Sequence, residues 1–538
     1  MKRSFFYFAI CLLSLGLAFG QEMGYQHFHS VSGHSITSQP VPVFMDSTGL
    51  TTAISSLQKD LTLEKRLLFA QFDEAGIPTS AQIIGEDSLY LDHAQLTSDS
   101  SLLVLARIFP NGQVTTVLKL SASGSILWAR ALKPQTAGVS GSFGLGIVET
   151  DSAYQIYVRT PKPFVSGESE LAIIELDKAS GEGTTTTAFR RFDSFNVNRG
   201  IPLSDESMVL SGSMDRFGRE PILFRMDKDQ MITWSFHFDD PYLYEMNVID
   251  AVLGDSGAVY VTGDLATSSS ALKKDGFLMK IRADGSISFF QLFREPAQNS
   301  GERMFNILAM DSTQITLAGV HTASNSKQYF LLRTDQTGQV QQTFGMDPVD
   351  FSPVFSNNNN RYQNAIPFNG GVKILGQMID ENEGTYGMAH ISINSLLVPD
   401  CSATISNLTI EDSSLALSYS TFSVSPSSIT YSNDPAQPGV TPVALPTIDI
   451  CSGATLSNDL EIRPGISVYP NPADQVLFID NYAPNRGSRM AIIDMMGRQM
   501  MVSEGKTEID ISSLVPGTYL LLFTEENRAP FSIRLIKS

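Results

Sequence analysis

Gly254-Asp255-Ser256-Gly257 has the form of a serine-protease nucleophile segment, where a serine hydroxyl attacks once a histidine takes its proton. No partner histidine segment or two-barrel pattern accompanies it. It lies between two alternating apolar runs, where Asp-Ser-Gly makes a hairpin turn. His27, His29 and His34 are the next candidates. His-x-His on a strand puts two imidazoles on one face, a metal-binding arrangement, but the sequence offers no third ligand and no metal is assigned. Paired carboxylates could cleave a glycosidic bond. The chain has 56 Asp and Glu, and the sequence does not say which of them converge. No glycine-rich phosphate loop, zinc motif or Gly-x-Ser-x-Gly elbow is present. Catalytic residues are therefore unassigned, and no cofactor is expected.

What would position any such residues is a repeat. Seven times an apolar, aromatic-rich run meets a polar turn, as in LLFAQFDEAGIP, TVLKLSASGSILWA and GFLMKIRADGSISFF. Anchored on Asp73, Ser121, Asp177, Asp227, Asp284, Asp335 and Asn394, the spacings run from roughly 48 to 59 residues, the range of kelch-like blades. Each copy reads as a β-hairpin. A second pair of short strands precedes most copies, such as MVLSGSM, AVYVTGD and ITLAGVH. Four strands per period make a propeller blade, and stacking around an axis covers faces that one blade cannot bury alone. The expectation is an all-β protein with a seven-bladed β-propeller over residues 21–400. The turn Asp residues read as Asx-turn formers. Calcium ligation is the weaker reading, since no Asp-x-Asp-x-Asp-Gly loop occurs. Asn357 to Asn360 reads as a solvent loop.

The ends of the chain read differently. Lys2 and Arg3 precede an apolar run, and Ala18-Phe19-Gly20 offers small residues to a signal peptidase, so residues 1–20 read as a signal peptide cleaved between Gly20 and Gln21. The mature chain then has no transmembrane segment. The formal net charge of −19 disfavours nucleic acid and anionic lipid as partners. Residues 401–464 contain SVSPSSITYSNDPAQPGVTPVALPT, a Pro/Ser/Thr run that reads as an extended linker.

Residues 465–538 read as a small β-sandwich of about seven short strands. Pro470-Asn471-Pro472 stops its first strand and sets a stiff corner before VLFID. Three elements follow in order: Tyr469 to Pro472 (YPNP), Asp494 to Arg498 around Gly497 (DMMGR), and Asp510 to Leu521 with Gly517 and Tyr519 (DISSLVPGTYLL). Arg534 and Lys537 close the chain. This series closely resembles the type A C-terminal sorting domain of the type IX secretion system. The resemblance implies the secretion machinery as a partner, export across both membranes of a Bacteroidota cell, and release or attachment at the cell surface. The repeat grammar itself resembles propeller modules of exported Bacteroidota proteins.

Two function classes remain. The favoured one is a non-enzymatic surface or secreted protein binding glycan or protein at one propeller rim. The alternative is a polysaccharide hydrolase or lyase with carboxylates at the propeller channel. Asp46-Ser47-Thr48, Asp87-Ser88-Leu89, Asp151-Ser152-Ala153 and Asp311-Ser312-Thr313 resemble short O-glycan acceptor sites and equally suit turn starts.

Cysteine usage gives a direct expectation. Cys11 leaves with the signal, which pairs Cys401 with Cys451 in an oxidising compartment. Non-reducing peptide mapping of the exported protein is expected to yield the linked pair. Two alkylatable thiols on the native protein would contradict the pairing.

Overall fold

The computed structural model describes residues 26–449 and 467–537 apart from short connecting stretches, the longest being 354–364 and 394–403. The described residues are all β, with no α-helix and one short 3-10 turn at Asp255–Gly257. They divide into two units, residues 1–450 and 451–538. The signal region with Gly20 and Gln21, both cysteines and Asn357 to Asn360 lie outside the described residues.

Alternation and turn chemistry build the first unit. Among its described residues are seven antiparallel sheets in a propeller-like series. The second sheet is representative: Ser88–Leu96, Leu102–Phe109, Val114–Leu120 and Ile126–Pro134 follow one another as a meander. The hairpin joining the third and fourth strands is the repeat seen in the sequence. In the first sheet the Asp73 carboxylate accepts the amide of Ile77 at 2.8 Å, and the Gly76 amide bonds the Asp73 carbonyl at 3.0 Å. Asp227 and Asp335 accept the amide four residues on in the same way. These aspartates serve their own backbone, which is the Asx-turn role.

The turn glycines answer to a second demand. Gly181 and Gly285 have φ of 68° and 82°, a region costly for side chains with a Cβ. A Cβ at Gly181 would fall 2.6 Å from the Trp128 ring of the preceding sheet, and one at Gly285 would fall 2.8 Å from Trp234. Trp128 Nε1 also donates to the Lys178 carbonyl, and the Arg130 guanidinium to that of Ser180. Each of these turns is therefore a foot that rests on the previous sheet.

The core is divided into layers between consecutive sheets. Phe69, Leu91, Val104 and Leu118 pack between the first and second sheets. Leu223, Phe236, Val261 and Phe277 pack between the fourth and fifth. The seventh sheet packs on the first through Leu375, Met388, Leu57 and Phe72. The seventh copy of the repeat gains its fourth strand from the other end of the chain: Gln26–His29 pairs with Thr385–Ile393. His29 is buried there with its ring 4.9 Å from that of Phe72.

The stretch expected as a linker is part of this unit and supplies a fifth strand to every sheet. Thr404–Ser406 pairs with the sixth sheet, Glu411–Ser414 with the fifth, and Tyr419–Ser420 with the fourth. Ser425–Ser427 pairs with the third, Tyr431–Pro435 with the second, Val440–Pro442 with the first and Thr447–Asp449 with the seventh. It is a belt rather than a spacer. Proline lacks the donor a further neighbour would need, so Pro426, Pro435 and Pro442 suit an outermost strand. Side chains anchor the belt: Phe422 is edge-on to Phe224 at 5.3 Å, Ile410 enters the layer between the fifth and sixth sheets, and Leu445 the one between the seventh and first.

In the C-terminal unit, Ser467–Tyr469, Val476–Asp480 and Glu508–Asp510 form one sheet. Arg489–Asp494, Gln499–Glu504, Gly517–Thr524 and Phe531–Lys537 form a second. Leu477, Ile479, Met490, Ile492, Leu521 and Leu535 from both sheets make one apolar cluster.

The belt gives a measurable expectation. Phe422→Ala should lower the unfolding free energy by about 3 kcal/mol, as for other buried aromatic truncations. Val440→Thr, at a residue 40% exposed, should change it little. Equal and negligible effects in denaturant titrations would mean that 404–449 is a spacer after all.

Candidate functional site

A β-bulge recurs in the first strand of the second to sixth sheets. The extra residue falls after Leu91 in Ser88–Leu96, after Gly144 in Phe143–Glu149 and after Val197 in Asn196–Pro202. It falls after Val248 in Glu245–Leu253 and after Met304 in Gly301–Met310. A bulge fixes register and re-aims the side chains beside it. The pair two steps before the extra residue therefore occupies one structural position in these five sheets. Its occupants are Tyr90 with Arg107, Phe143 with Arg159, Asn196 with Ser213, Asn247 with Asp264, and Arg303 with Val320.

Lys65, at the start of Lys65–Phe72 in the first sheet, and the occupants of these positions in the second to fourth sheets form a ladder of cations and rings. The Lys65 ammonium lies 4.5 Å from the centre of the Tyr90 ring. Arg107 sits 4.9 Å from the rings of both Tyr90 and Phe143. Arg159 is 4.3 Å from Phe143 and donates to Asn196 Oδ1 at 2.8 Å and Asn198 Oδ1 at 2.7 Å. Such cation–π contacts orient a cation without neutralising it. Burial, and then the charge of Arg107, hold the Lys65 ammonium below the usual lysine pKa. At the fifth sheet one ammonium meets two carboxylates, with Lys274 Nζ 2.8 Å from Glu245 and 3.3 Å from Asp264. Tyr90 and Phe143 are half-buried and Asn198 is exposed.

Carboxylates beneath the ladder fasten sheet to sheet. Asp92 Oδ2 accepts the Gly144 amide of the next sheet at 3.1 Å. Arg107 Nε stands 2.7 Å from Asp92 Oδ1, an ion pair by distance although the N–H is not aimed along it. Asp250 Oδ2 accepts the Ile307 amide at 2.9 Å, and its other oxygen takes the amide of Ala251. Ser56 Oγ does the same for Leu91. A glycosidase acid needs a carboxyl held above its ordinary pKa. The resolved carboxylate shifts among the described residues go the other way. Burial opposes ionisation of Glu149, yet hydrogen bonds from Ser98 and Lys178 keep its carboxyl low.

His93 is a different kind of group. Its Nε2 is shut off from solvent and has no hydrogen-bond partner among the described residues, although the residue keeps partial exposure. Burial first, and the Arg199 guanidinium of the fourth sheet second, draw its pKa down from 6.5 to about 4, while Gln95 works the other way. It is a neutral imidazole at physiological pH.

Residues singled out by sequence are scattered by comparison. Gly254 to Gly257 forms the hairpin between Glu245–Leu253 and Val259–Ala266 and holds no triad. His29 belongs to the seventh sheet and His34 to the first. Asp151 and Ser152 form an exposed turn, whereas Asp46, Asp87 and Asp311 lie outside the described residues. In the C-terminal unit Tyr469 is 51% exposed and stacks on Phe478, while Tyr519 is buried with its hydroxyl donating to the Val515 carbonyl. Pro470, Asn471, Pro472, Gly497 and Arg498 lie outside the described residues, as do the side chains of Asp494 and Arg534. Sequence reasoning missed the ladder, whose members are spread from Lys65 to Asn198. Aligning the strands upstream of each hairpin, rather than the hairpins themselves, would have brought Tyr90, Phe143 and Asn196 into one column.

Residues 467–537 match the family described as secretion system C-terminal sorting domain. No curated protein matches the chain. Among solved structures, the WD40 domain of Toxoplasma gondii coronin aligns at 9% identity and a TM-score of 0.38, covering 68% of this chain and 88% of that one. The extracellular domain assigned to a hybrid two-component system of B. thetaiotaomicron aligns at 11% identity and a TM-score of 0.22, covering 96% and 100%. At these scores neither likeness carries a functional argument.

The neutral state of His93 has a pH consequence. The unfolded chain takes up its proton near pH 6.5 and the folded protein only near 4. Stability present above 6.5 is thus lost as pH falls through that window, by a few kcal/mol at most. His93→Gln should flatten this part of the curve in denaturant titrations at stepped pH. An unchanged slope would place the acid sensitivity elsewhere.

Proposed function

We propose that this chain, a type IX secretion cargo by virtue of its sorting domain at residues 467–537, is a non-enzymatic recognition protein. It is delivered to the cell surface or the extracellular space, and no helix among the described residues is long and apolar enough to cross a membrane. On this reading the seven sheets are the blades of a seven-bladed β-propeller. The order of their packing and the contact of the seventh with the first support it. The two C-terminal sheets around one apolar cluster are read as the small sandwich that engages the secretion machinery. Removal of residues 1–20 before Gln21 belongs to the same reading.

The pairing of Cys401 with Cys451 stays a proposal, with a reason beyond cysteine counting. The belt starts on the sixth sheet at Thr404 and ends on the seventh at Asp449, having passed every other sheet. A bond between cysteines three residues before and two residues after it would fasten the belt as a hoop.

The observation that carries the recognition reading is the ladder: one repeated backbone position bearing different chemistry from sheet to sheet. Buried carboxylates such as Asp92 and Asp250 are meanwhile engaged by backbone amides. A rigid frame with variable side chains at one level suits ligand selection. The decisive measurement sets direct binding of the exported protein to a polysaccharide and protein panel beside product release from the same panel. Binding without turnover is the expected result. Turnover abolished by one carboxylate substitution would replace this reading with that of a hydrolase or lyase.

A further inference from the structure

Resting on the sorting-domain match, we infer that the C-terminal unit docks on the secretion machinery through the outer face of its three-stranded sheet, by the row Tyr469, Phe478 and Glu508, and that the segment it meets there is basic. Tyr469 pairs with Phe478 and Phe478 with Glu508, so the three stand side by side across the sheet. Alternation turns Val468, Leu477, Ile479 and Ile509 toward the apolar cluster and these three away from it. Tyr469 is 51% exposed and Phe478 38%, their ring centres 5.8 Å apart. Glu508 is exposed beside them. The solvent face of a sheet is ordinarily polar. An aromatic pair left in water on such a face gains from being covered.

The carboxylates choose the partner. Asp510 lies exposed on the same strand and the same face as Glu508, and neither has an ion-pair partner among the described residues. Hydrogen bonds from Ser512 hold the Asp510 carboxyl below its ordinary pKa, so it stays charged. A purely apolar partner would strip water from both charges and return nothing. An anionic lipid surface would be repelled by them. An arginine- or lysine-bearing segment suits the whole row, because one cation can pair with a carboxylate while its stem or guanidinium plane lies on a ring.

The test follows the full chain in a host with a working type IX system, comparing its amounts in the periplasm and outside the cell. Tyr469→Ser and Phe478→Ser should each cut the exported fraction by about tenfold or more, as for truncation of an interface anchor. The melting temperature of the retained protein should be unchanged. Glu508→Lys should also block export, and Glu508→Gln should reduce it less. This surface carboxylate keeps the test decisive if an aromatic variant lowers the melting temperature. Val515→Ser and Met500→Ser, at exposed apolar residues outside the row, should be exported normally. Normal export of Tyr469→Ser and Phe478→Ser would overturn the docking face, as would equal retention of Val515→Ser and Met500→Ser. Normal export of Glu508→Lys would overturn the basic partner. Export of a chain lacking residues 467–537 would instead overturn the cargo assignment itself.

Discussion

A four-stranded sheet ends in an edge, and the first unit depends on how seven such edges are covered. Each fourth strand would otherwise present unpaired N–H and C=O groups, a template for pairing with another molecule. The belt satisfies them from within the chain, one short strand per sheet, from the sixth sheet back to the first and then to the seventh. A strand of two residues such as Tyr419–Ser420 has no stability of its own. It holds because Phe238 and His237 are already extended beside it and because the Tyr419 ring meets Phe236 edge-on at 4.9 Å. Proline at the outer positions then stops the pairing from going further.

The first strand of the second to sixth sheets is governed by the bulge. By adding one residue at a constant level, it keeps register from sheet to sheet while turning particular side chains toward their neighbours. Asp92 and Asp250 use this to reach the amides of the following sheet, a bond between elements that are otherwise only packed. The same geometry sets Tyr90, Phe143 and Asn196 at one level. The fastening and the ladder are consequences of a single irregularity, so the side chains of the ladder are held by a frame that does not depend on any ligand.

These facts explain what could be read in advance. The hairpins were legible because Asp and Gly occupy fixed offsets between alternating runs, and the aspartates do bond their own turns. The export signal was legible because its motifs stand in order, and residues 467–537 match the sorting family. The belt was not. Its strands are two to five residues long, too short for alternation to show, and its prolines argue for a spacer unless the strand is known to be outermost. Nor was the fourth strand of the seventh sheet, since Gln26–His29 lies at the far end of the chain from its partner. The ladder escaped because its members are related by register, which pairing creates and sequence spacing hides.

The net charge takes on a different meaning in this frame. Asp73, Asp227 and Asp335 accept hydrogen bonds within their own turns, as do Asp177 and Asp284. Hydrogen bonds from Ser180 hold the Asp177 carboxyl below its ordinary pKa, and those from Ser286 do the same for Asp284. These five of the chain's 56 acidic residues are thus a by-product of repeating one turn chemistry around the unit. Arg107 and Arg159, by contrast, stand at positions that the bulges determine. An overall balance of −19 and a row of cations at one level are compatible because the turns and the row lie at different positions along the strands. Acids dispersed over many turns act at long range and are screened, whereas Lys65, Arg107 and Arg159 are held at contact distance by the rings between them.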